Sequence, residues 1–130
     1  MAENRLEVHV VTPEREVWSG EADMVLAKAV NGELGILPGH APLLALLGIG
    51  PLQIVTGGDR EKAVVDGGFL HVNDDRVDVL AEHAELESEI DMNEARRREE
   101  DARRRLDQEH SEDARAELAK AVTRLNIAGS

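Results

Sequence analysis

The chain has 130 residues, of which 42% are hydrophobic and 32% charged, and its formal net charge is -12. This length suits one full domain or a small domain with an appendage, and no apolar run approaches the roughly 20 residues that a membrane-spanning helix needs. The acidic balance argues against nucleic-acid binding, which requires clustered basic charge. The sequence contains no cysteine, which excludes disulfides and thiolate chemistry and makes the cytosol the simplest location.

The first part of the chain has the pattern of short strands separated by turns. Residues 6–11 (LEVHVV) alternate apolar and polar side chains, which is the period of a half-buried strand. Further strand-like runs follow at 16–18, 24–30, 43–47, 52–56, 62–65, 69–72 and 77–80. Short strands at regular spacing, punctuated by Gly, Asn and Asp, indicate an all-β sandwich or barrel. We therefore assign residues 1–86 to an antiparallel β domain, which is either a sandwich or a barrel.

The run at residues 32–44 (GELGILPGHAPLL) interrupts this pattern. Glycine permits backbone angles that other residues resist, and proline fixes its own φ and extends the preceding residue. The run is therefore expected to be a shaped loop that presents Glu33 and His40. Two interpretations of His40 stay open: a hydrogen bond that fixes the loop, or a contact with a partner.

The composition changes after the acidic stretch at 82–91, because Arg, Glu and Ala, which are strong helix formers, dominate the rest. Asp91 is a candidate N-cap with Glu94 three residues later. A break near residues 108–111 precedes a second helix, capped by Ser111 or Asp113. We therefore predict that residues 87–130 form an antiparallel two-helix hairpin.

The predicted hairpin is highly charged and has little apolar surface. In the first helix a thin seam of Met92, Ala95, Glu99, Ala102 and Leu106 is predicted, with ion pairs from residue 99 to 103, 100 to 104 and 101 to 105. In the second helix an apolar stripe is predicted at residues 114, 118, 121 and 125. Because so few apolar contacts are available, we expect the hairpin to be weakly held.

No pattern of catalytic or cofactor-binding residues stands out in the chain. The five histidines show no metal-ligand spacing, and no serine has the context of a nucleophile. Phosphate-binding glycine motifs are missing. We predict no catalytic residues, no metal and no cofactor.

At this point the sequence resembles a known family, the epsilon subunits of bacterial F-type rotary ATP synthases. The resemblance rests on the run at 32–44, on VWSG at 17–20, on GGFLHV at 67–72, on VDVLAE at 77–82 and on AELAKA at 116–121. It implies a β-sandwich of about ten strands followed by two helices. It also implies a non-catalytic rotor subunit of the central stalk, attached peripherally at the cytoplasmic face of the cell membrane without inserting into it.

The resemblance further implies partners and contact residues. The expected partners are the gamma subunit, the membrane c-ring and, through the C-terminal helices, the alpha/beta catalytic hexamer, where the helices modulate ATP hydrolysis. Glu33 and His40 match family positions near the contact with gamma and the c-ring, and Gly39 and Pro42 shape the loop.

The second helix carries three basic side chains at positions that match cationic positions of the family. They are Arg115, Lys120 and Arg124, and the resemblance implies possible contacts from them to the catalytic hexamer.

One departure from the family concerns nucleotide binding. Some members bind ATP through an I/L-D-x-x-R-A motif, whereas residues 90–95 here read IDMNEA. Glu94 therefore replaces the motif arginine, and an anion beside a polyphosphate is unfavourable. We predict no nucleotide binding.

Two alternatives belong to other functional classes. One is a small β-sandwich enzyme or ligand-binding module that uses His40 and Glu33 as acid and base, which a closed apolar pocket beside His40 would support. The other is a coiled-coil scaffold, which accounts for the helices but gives the loop no role.

Overall fold

The computed structural model describes residues 5–128 and contains eight strands followed by two helices. The strands are β1 (Leu6–Val11), β2 (Glu16–Ala22), β3 (Met24–Ala29), β4 (Gly32–Ile36), β5 (Leu43–Thr56), β6 (Asp59–Asn73), β7 (Arg76–Ala81) and β8 (Ala84–Leu86). A 3₁₀ turn at Glu87–Glu89 leads to α1 (Met92–Glu109) and α2 (Glu112–Ala128). The predicted fold class, a β-sandwich followed by a helical hairpin, is confirmed.

The strands form one sheet in the order β2-β1-β7-β6-β5-β3-β4, and β8 pairs with β6. All neighbours are antiparallel except β1 and β7, which are parallel. Strands β5 and β6 are 14 and 15 residues long, so they extend through both layers of the sandwich. The side chains that point inward form the core, among them Leu6, Ile36, Leu52, Ile54 and Leu70, each at most 1% exposed.

The sequence pattern predicts two short strands in place of each of these long strands. It predicts strands at 43–47 and 52–56, with a break from Gly48 to Pro51, and strands at 62–65 and 69–72, with a turn at residues 66–68. The structure keeps both strands continuous, since Leu43 pairs with Val72 and Thr56 with Asp59 at the two limits of one register. The described part of the sandwich, from residue 5 onward, therefore has eight strands, and the expectation of about ten was wrong.

Two glycines allow β6 to bend at residues 66–68, where the sequence pattern predicts a turn. Gly67 and Gly68 have φ of +94° and +130°, in the region that favours glycine. A Cβ at Gly68 would lie 2.2 Å from the carbonyl oxygen of Leu80. The bend is therefore compatible with a continuous strand only because both residues are glycine.

The run at 32–44 is shorter as a loop than expected. Residues Gly32–Ile36 form β4, which pairs with β3 at the edge of the sheet. The loop proper comprises residues 37–42, so Glu33 lies on a strand and His40 lies in the loop.

The helix boundaries follow the predicted caps. The Asp91 side chain accepts a hydrogen bond from the backbone N–H of Glu94, and the Ser111 hydroxyl accepts one from Ala114. His110 separates the helices with φ of +50°. No helix within residues 5–128 is long and apolar enough to cross a membrane.

The side-chain pattern of the hairpin differs from the prediction in two respects. The Glu99–Arg103 pair is present at 3.0 Å, but Arg104 bonds to Asp101 rather than to Glu100. In α2, Ala114 and Ala121 are buried as expected, whereas the other two buried residues are Arg124 and Ile127. Leu118 and Leu125 are only half-buried.

Candidate docking surface and domain interface

The loop at residues 37–42 is held by three hydrogen bonds. The backbone N–H of His40 donates to the carbonyl oxygen of Leu37 at 3.1 Å, which closes a tight turn. Gly39 has φ of +86° and donates its N–H to Oδ1 of Asp75 at 2.6 Å. The third bond joins Nδ1 of His40 to the carbonyl oxygen of Ala41 at 2.7 Å. The loop is therefore fixed to the β6–β7 turn, and the two segments form one end of the sandwich.

An apolar stripe of exposed side chains begins beside this loop. Leu46 of β5 lies opposite Phe69 of β6, and Phe69 lies opposite Leu80 of β7. Val30 donates its N–H to Leu46, which places it beside that row, and Leu44 follows on the same face two residues away. We define the apolar stripe as these five residues.

The apolar stripe contains most of the exposed large hydrophobic side chains in the described chain. Across residues 5–128, six large hydrophobic side chains are exposed, with fractions from 47% to 66%. Five form the apolar stripe, and the sixth is Leu37 in the loop. Exposed apolar side chains grouped in this way indicate an interaction surface, whereas scattered ones would need no explanation.

Charged side chains border the apolar stripe on its β1 and β7 side. Arg76 contacts Asp78 at 3.1 Å and Glu7 at 3.5 Å, and His9 bonds to Glu7 at 2.7 Å. The hydrogen bond from His9 lowers the pKa of the Glu7 carboxyl, and Arg76 adds to the effect. An apolar centre with a polar rim is the usual arrangement of a protein–protein interface.

The loop residues and Glu33 do not converge on one pocket. Gly39 and Pro42 are exposed and His40 is half-buried in the loop. Glu33 borders a separate groove of about 270 Å³ on β3, β4 and β5, together with Leu34 and Pro51. This arrangement gives no support to the acid–base alternative. Within residues 5–128 no cluster of three metal-ligating side chains was found.

The second candidate region is the contact between α2 and the sandwich. Arg124 is 7% exposed and bonds to both carboxylate oxygens of Asp66, at 3.2 and 2.8 Å. Its Nε also lies 2.5 Å from Glu85. Burial lowers the pKa of Arg124, but the hydrogen bonds to Asp66 and Glu85 outweigh it, so the net shift is upward.

The other two basic residues assigned to partner contacts lie at different places on α2. Arg115 is exposed near the start of the helix and lies 3.9 Å from Glu112. Lys120 is half-buried and pairs with Glu117 at 3.5 Å. Lys120 faces a cleft of about 390 Å³ between helices and sandwich, whereas Arg124 is enclosed at its base.

Glu94 lines a smaller cavity, which shares Glu85, Arg98 and Arg124 with this cleft. The cavity, of about 40 Å³, is lined by Glu85, Asp91, Glu94, Ala95, Arg98 and Arg124. Glu94 binds Arg98 at 2.5 Å, so that cation is already paired. Because three carboxylates also face the cavity, its charge is poorly suited to a polyphosphate.

The segment between the sandwich and α1 is held by a bidentate ion pair. Arg15 binds both carboxylate oxygens of Glu89 at 2.8 Å. This contact lowers the pKa of Glu89, and a hydrogen bond from the backbone of Leu86 adds to the shift. The contact also raises the pKa of Arg15.

Comparison with known proteins identifies the family. A family model described as the β-sandwich domain of the ATP synthase delta/epsilon chain matches residues 5–87. The ATP synthase epsilon chain of Halalkalibacterium halodurans is 46% identical over 129 residues, covering 95% of this chain and 97% of that protein. The chain belongs to the ATP synthase delta/epsilon family. It is therefore a non-catalytic subunit of that complex, as the sequence resemblance implied.

Two further relatives of this family differ in length. The epsilon chain of Thermobifida fusca is 48% identical over 130 residues, covering 95% of this chain and 92% of its own. That of Frankia casuarinae is 52% identical over 82 residues, which cover 96% of that protein but only 62% of this chain.

Solved structures of family assemblies show the same fold. A chain of the Euglena gracilis mitochondrial ATP synthase, in a structure containing OSCP, F1 and the c-ring, matches 97% of this chain and 78% of its own, with a TM-score of 0.74 and 25% identity. A chain from the central stalk and c-ring of the Tetrahymena thermophila enzyme gives a TM-score of 0.61 at 17% identity and covers 95% of this chain.

Sequence reasoning missed three features of this delta/epsilon-family chain. The loop partner Asp75 gave no signal, because a turn aspartate is ordinary. The Asp66–Arg124 pair joins residues 58 positions apart, which no local pattern reveals. The apolar stripe did leave a trace, since residues 43–47 are apolar at successive positions, where a half-buried strand would alternate.

Proposed function

We propose that the chain is a central-stalk subunit that links the gamma subunit to the membrane c-ring and modulates ATP hydrolysis through its C-terminal helices. The apolar stripe carries this proposal. It is the main exposed apolar surface of the described chain, and it adjoins the loop that contains His40. A chain of an ATP synthase needs such a surface to bind its neighbours.

In this proposal the gamma subunit covers the apolar stripe. Phe69 occupies its centre, with Leu46 and Leu80 on either side. Burying such side chains removes apolar area from water at about 25 cal/mol per Å². The ion pairs of Arg76 form the rim and set the orientation of the partner.

The loop at residues 37–42 extends the interface toward the c-ring. Gly39, His40 and Pro42 are the proposed contact or shaping residues, and Glu33 is the proposed contact on β4. The bond between Gly39 and Asp75 fixes the loop before binding, which reduces the entropy lost on association. His40 can serve in both ways described above. The bond from its ring to Ala41 fixes the loop, and the part of the ring that stays exposed can contact a partner.

We divide the chain into two domains, residues 1–86 and residues 87–130, and propose a separate role for each. The sandwich binds the gamma subunit and the c-ring, and the hairpin modulates ATP hydrolysis by reaching the alpha/beta hexamer. Arg115 and Lys120 are accessible for such a contact, whereas Arg124 becomes accessible only after α2 leaves the sandwich. The subunit thus lies on the cytoplasmic face of the cell membrane as a peripheral part of the complex.

Co-expression with the gamma subunit tests the docking part of the proposal. The full chain is expected to co-purify with gamma, and replacement of residues 38–42 by a glycine-serine linker of equal length is expected to weaken this binding. A wild-type chain with no affinity for gamma would refute the docking role.

Removal of residues 91–130 tests the regulatory part. If the hairpin restrains hydrolysis, the assembled complex lacking it hydrolyses ATP faster than the complex with the full chain. Unchanged hydrolysis would remove the regulatory role and leave the rotor role intact.

A further inference from the structure

The hairpin is attached to the sandwich mainly through α2. Helix α1 packs on α2, and α2 packs on β5 and β6. The buried side chains of α2 are Ala114, Ala121, Arg124 and Ile127. Two of the three apolar ones are alanines, which bury little area, so apolar packing alone holds the hairpin weakly.

Arg124 provides the polar part of this attachment. It forms two hydrogen bonds to Asp66, one to Glu85 and one to the carbonyl oxygen of Lys120. The side chains of Asp66 and Arg124 are 3% and 8% exposed, so water is nearly excluded from their contact. Asp66 belongs to β6 and Arg124 to α2, and their contact crosses from one domain to the other.

The position of Asp66 is fixed by the sandwich itself. It lies directly before the glycine bend of β6, and its backbone N–H donates to the carbonyl oxygen of His83 at 2.9 Å. Asp66 therefore presents its carboxylate at one place on the surface that α2 covers. The contact can form only when α2 lies in one register on the sheet.

The other cations that line the cleft have carboxylate partners of their own. Arg15 binds Glu89, Arg98 binds Glu94 and Lys120 contacts Glu117. Arg124 is thus the cation that neutralises Asp66 in the docked arrangement. Loss of either member would leave the other buried without its main partner, which is strongly unfavourable.

A buried ion pair of this kind affects the position in which α2 docks more than the affinity of docking. Both charges lose water when α2 docks, so the pair adds little net affinity compared with apolar contacts. A displaced α2, however, would bury one charge without the other. The pair therefore favours one docked position and penalises intermediate ones.

We propose that Asp66, Glu85 and Arg124 form a charge latch that fixes α2 in one docked position on the sandwich and selects between a docked and a released hairpin. Release separates Arg124 from Asp66 and Glu85 at once and exposes its guanidinium. The latch is a property of the isolated chain. Its regulatory consequence alone rests on the proposed function, in which a released hairpin reaches the catalytic hexamer.

Distance measurements by pulsed electron–electron double resonance on the spin-labelled full chain test the latch. The natural sequence has no cysteine, so Ser19→Cys on β2 and Ala119→Cys on α2 place two spin labels at exposed sites. Asp66→Asn and Arg124→Met are each expected to lower the docked-to-released ratio by roughly 100-fold or more, seen as a broad distance distribution. Arg103→Gln, which removes an exposed arginine from the same hairpin, is the matched control and keeps the narrow distribution.

Circular dichroism and amide exchange in β1 and β7 show whether the sandwich stays folded in each variant. If Asp66→Asn unfolds the sandwich, Arg124→Met decides, because it changes only α2. The double variant Asp66→Leu with Arg124→Met is expected to dock again, since the carboxylate that it leaves unpaired, Glu85, is 36% exposed and keeps its contact with water. A narrow, wild-type distribution in Arg124→Met would overturn the latch. That result would leave the proposed function untouched, because gamma binding and ATP hydrolysis are measured separately.

Discussion

The backbone N–H of Gly39 donates a hydrogen bond of 2.6 Å to Oδ1 of Asp75 and thereby joins the proposed docking loop to the β6–β7 turn. The carboxylate acts as the anchor, and the glycine supplies the φ of +86° that lets its N–H point toward it. The loop is therefore held in place by a residue 36 positions away.

Removal of this anchor is expected to loosen the loop without unfolding the sandwich. Asp75→Gly deletes the acceptor and tolerates the φ of +63° at that position. Binding to gamma or to the c-ring, measured by titration calorimetry, should weaken several-fold, because an exposed charged hydrogen bond contributes about 1 kcal/mol. Asp74→Gly is the matched control, with φ of +51° and the same change in charge. Equal losses in both variants would contradict the anchor role.

Polar substitution within the apolar stripe should weaken gamma binding more strongly. Leu46→Ser combined with Phe69→Ser removes two apolar contacts, each of which contributes about 1.5–3 kcal/mol when fully buried at an interface. The thermal midpoint of the isolated chain should change little, because both side chains are already about half exposed. Val55→Ser, near the other end of β5, is the control. Undiminished affinity for gamma in the double variant would exclude this stripe as the docking surface.

Because of the Arg15–Glu89 pair, which holds the segment between the domains, we expect the stability of the folded chain to depend on pH. The pKa of Glu89 is lowered in the folded chain from its ordinary value of 4.5. Its contribution to stability is thus present above pH 4.5 and is lost as the pH falls through the lower folded pKa. Glu89→Gln should lower the melting temperature by a few degrees at most at neutral pH, since the pair is exposed.

The difference between wild type and Glu89→Gln should disappear in thermal melts taken at successively lower pH. Glu87→Gln, in the same 3₁₀ turn, controls for the loss of one negative charge. A difference that persists unchanged down to pH 3 would show that the ionised carboxylate is not responsible.

From the charges around Glu94 we predict that the chain does not bind MgATP with micromolar affinity. Arg98 is paired with Glu94, and Arg124 is enclosed by Asp66 and Glu85. Titration calorimetry of the full chain with MgATP should therefore give no binding in the micromolar range. A micromolar dissociation constant would refute this prediction and would require rearrangement of these ion pairs.

The sequence predicted the fold class because strand alternation and helix caps are local signals. For that reason the cap at Asp91 was identified correctly, and of the two candidates for the second cap, Ser111 and Asp113, the structure shows Ser111. Continuity of β5 and β6 was missed because glycines mark turns in most sequences, whereas here Gly67 and Gly68 bend a strand that stays paired on both sides.

The family resemblance located the loop but could not locate what surrounds it. Whether a leucine such as Leu44 faces the core or solvent depends on register, and a one-residue change exchanges the two faces of a strand. The burial of Arg124 depends in turn on how α2 packs, which its surface charges alone do not reveal. Contacts between distant segments were thus the part that required the structure.

Site-directed crosslinking in the assembled ATP synthase tests the docking surface most directly. A photo-crosslinker attached at Leu44→Cys or Leu80→Cys, in a subunit that otherwise has no cysteine, is expected to capture the gamma subunit. The same reagent at Asp59→Cys, at the β5–β6 turn, is the control and should not capture it. Capture of gamma from Asp59 but from neither stripe position would contradict the account.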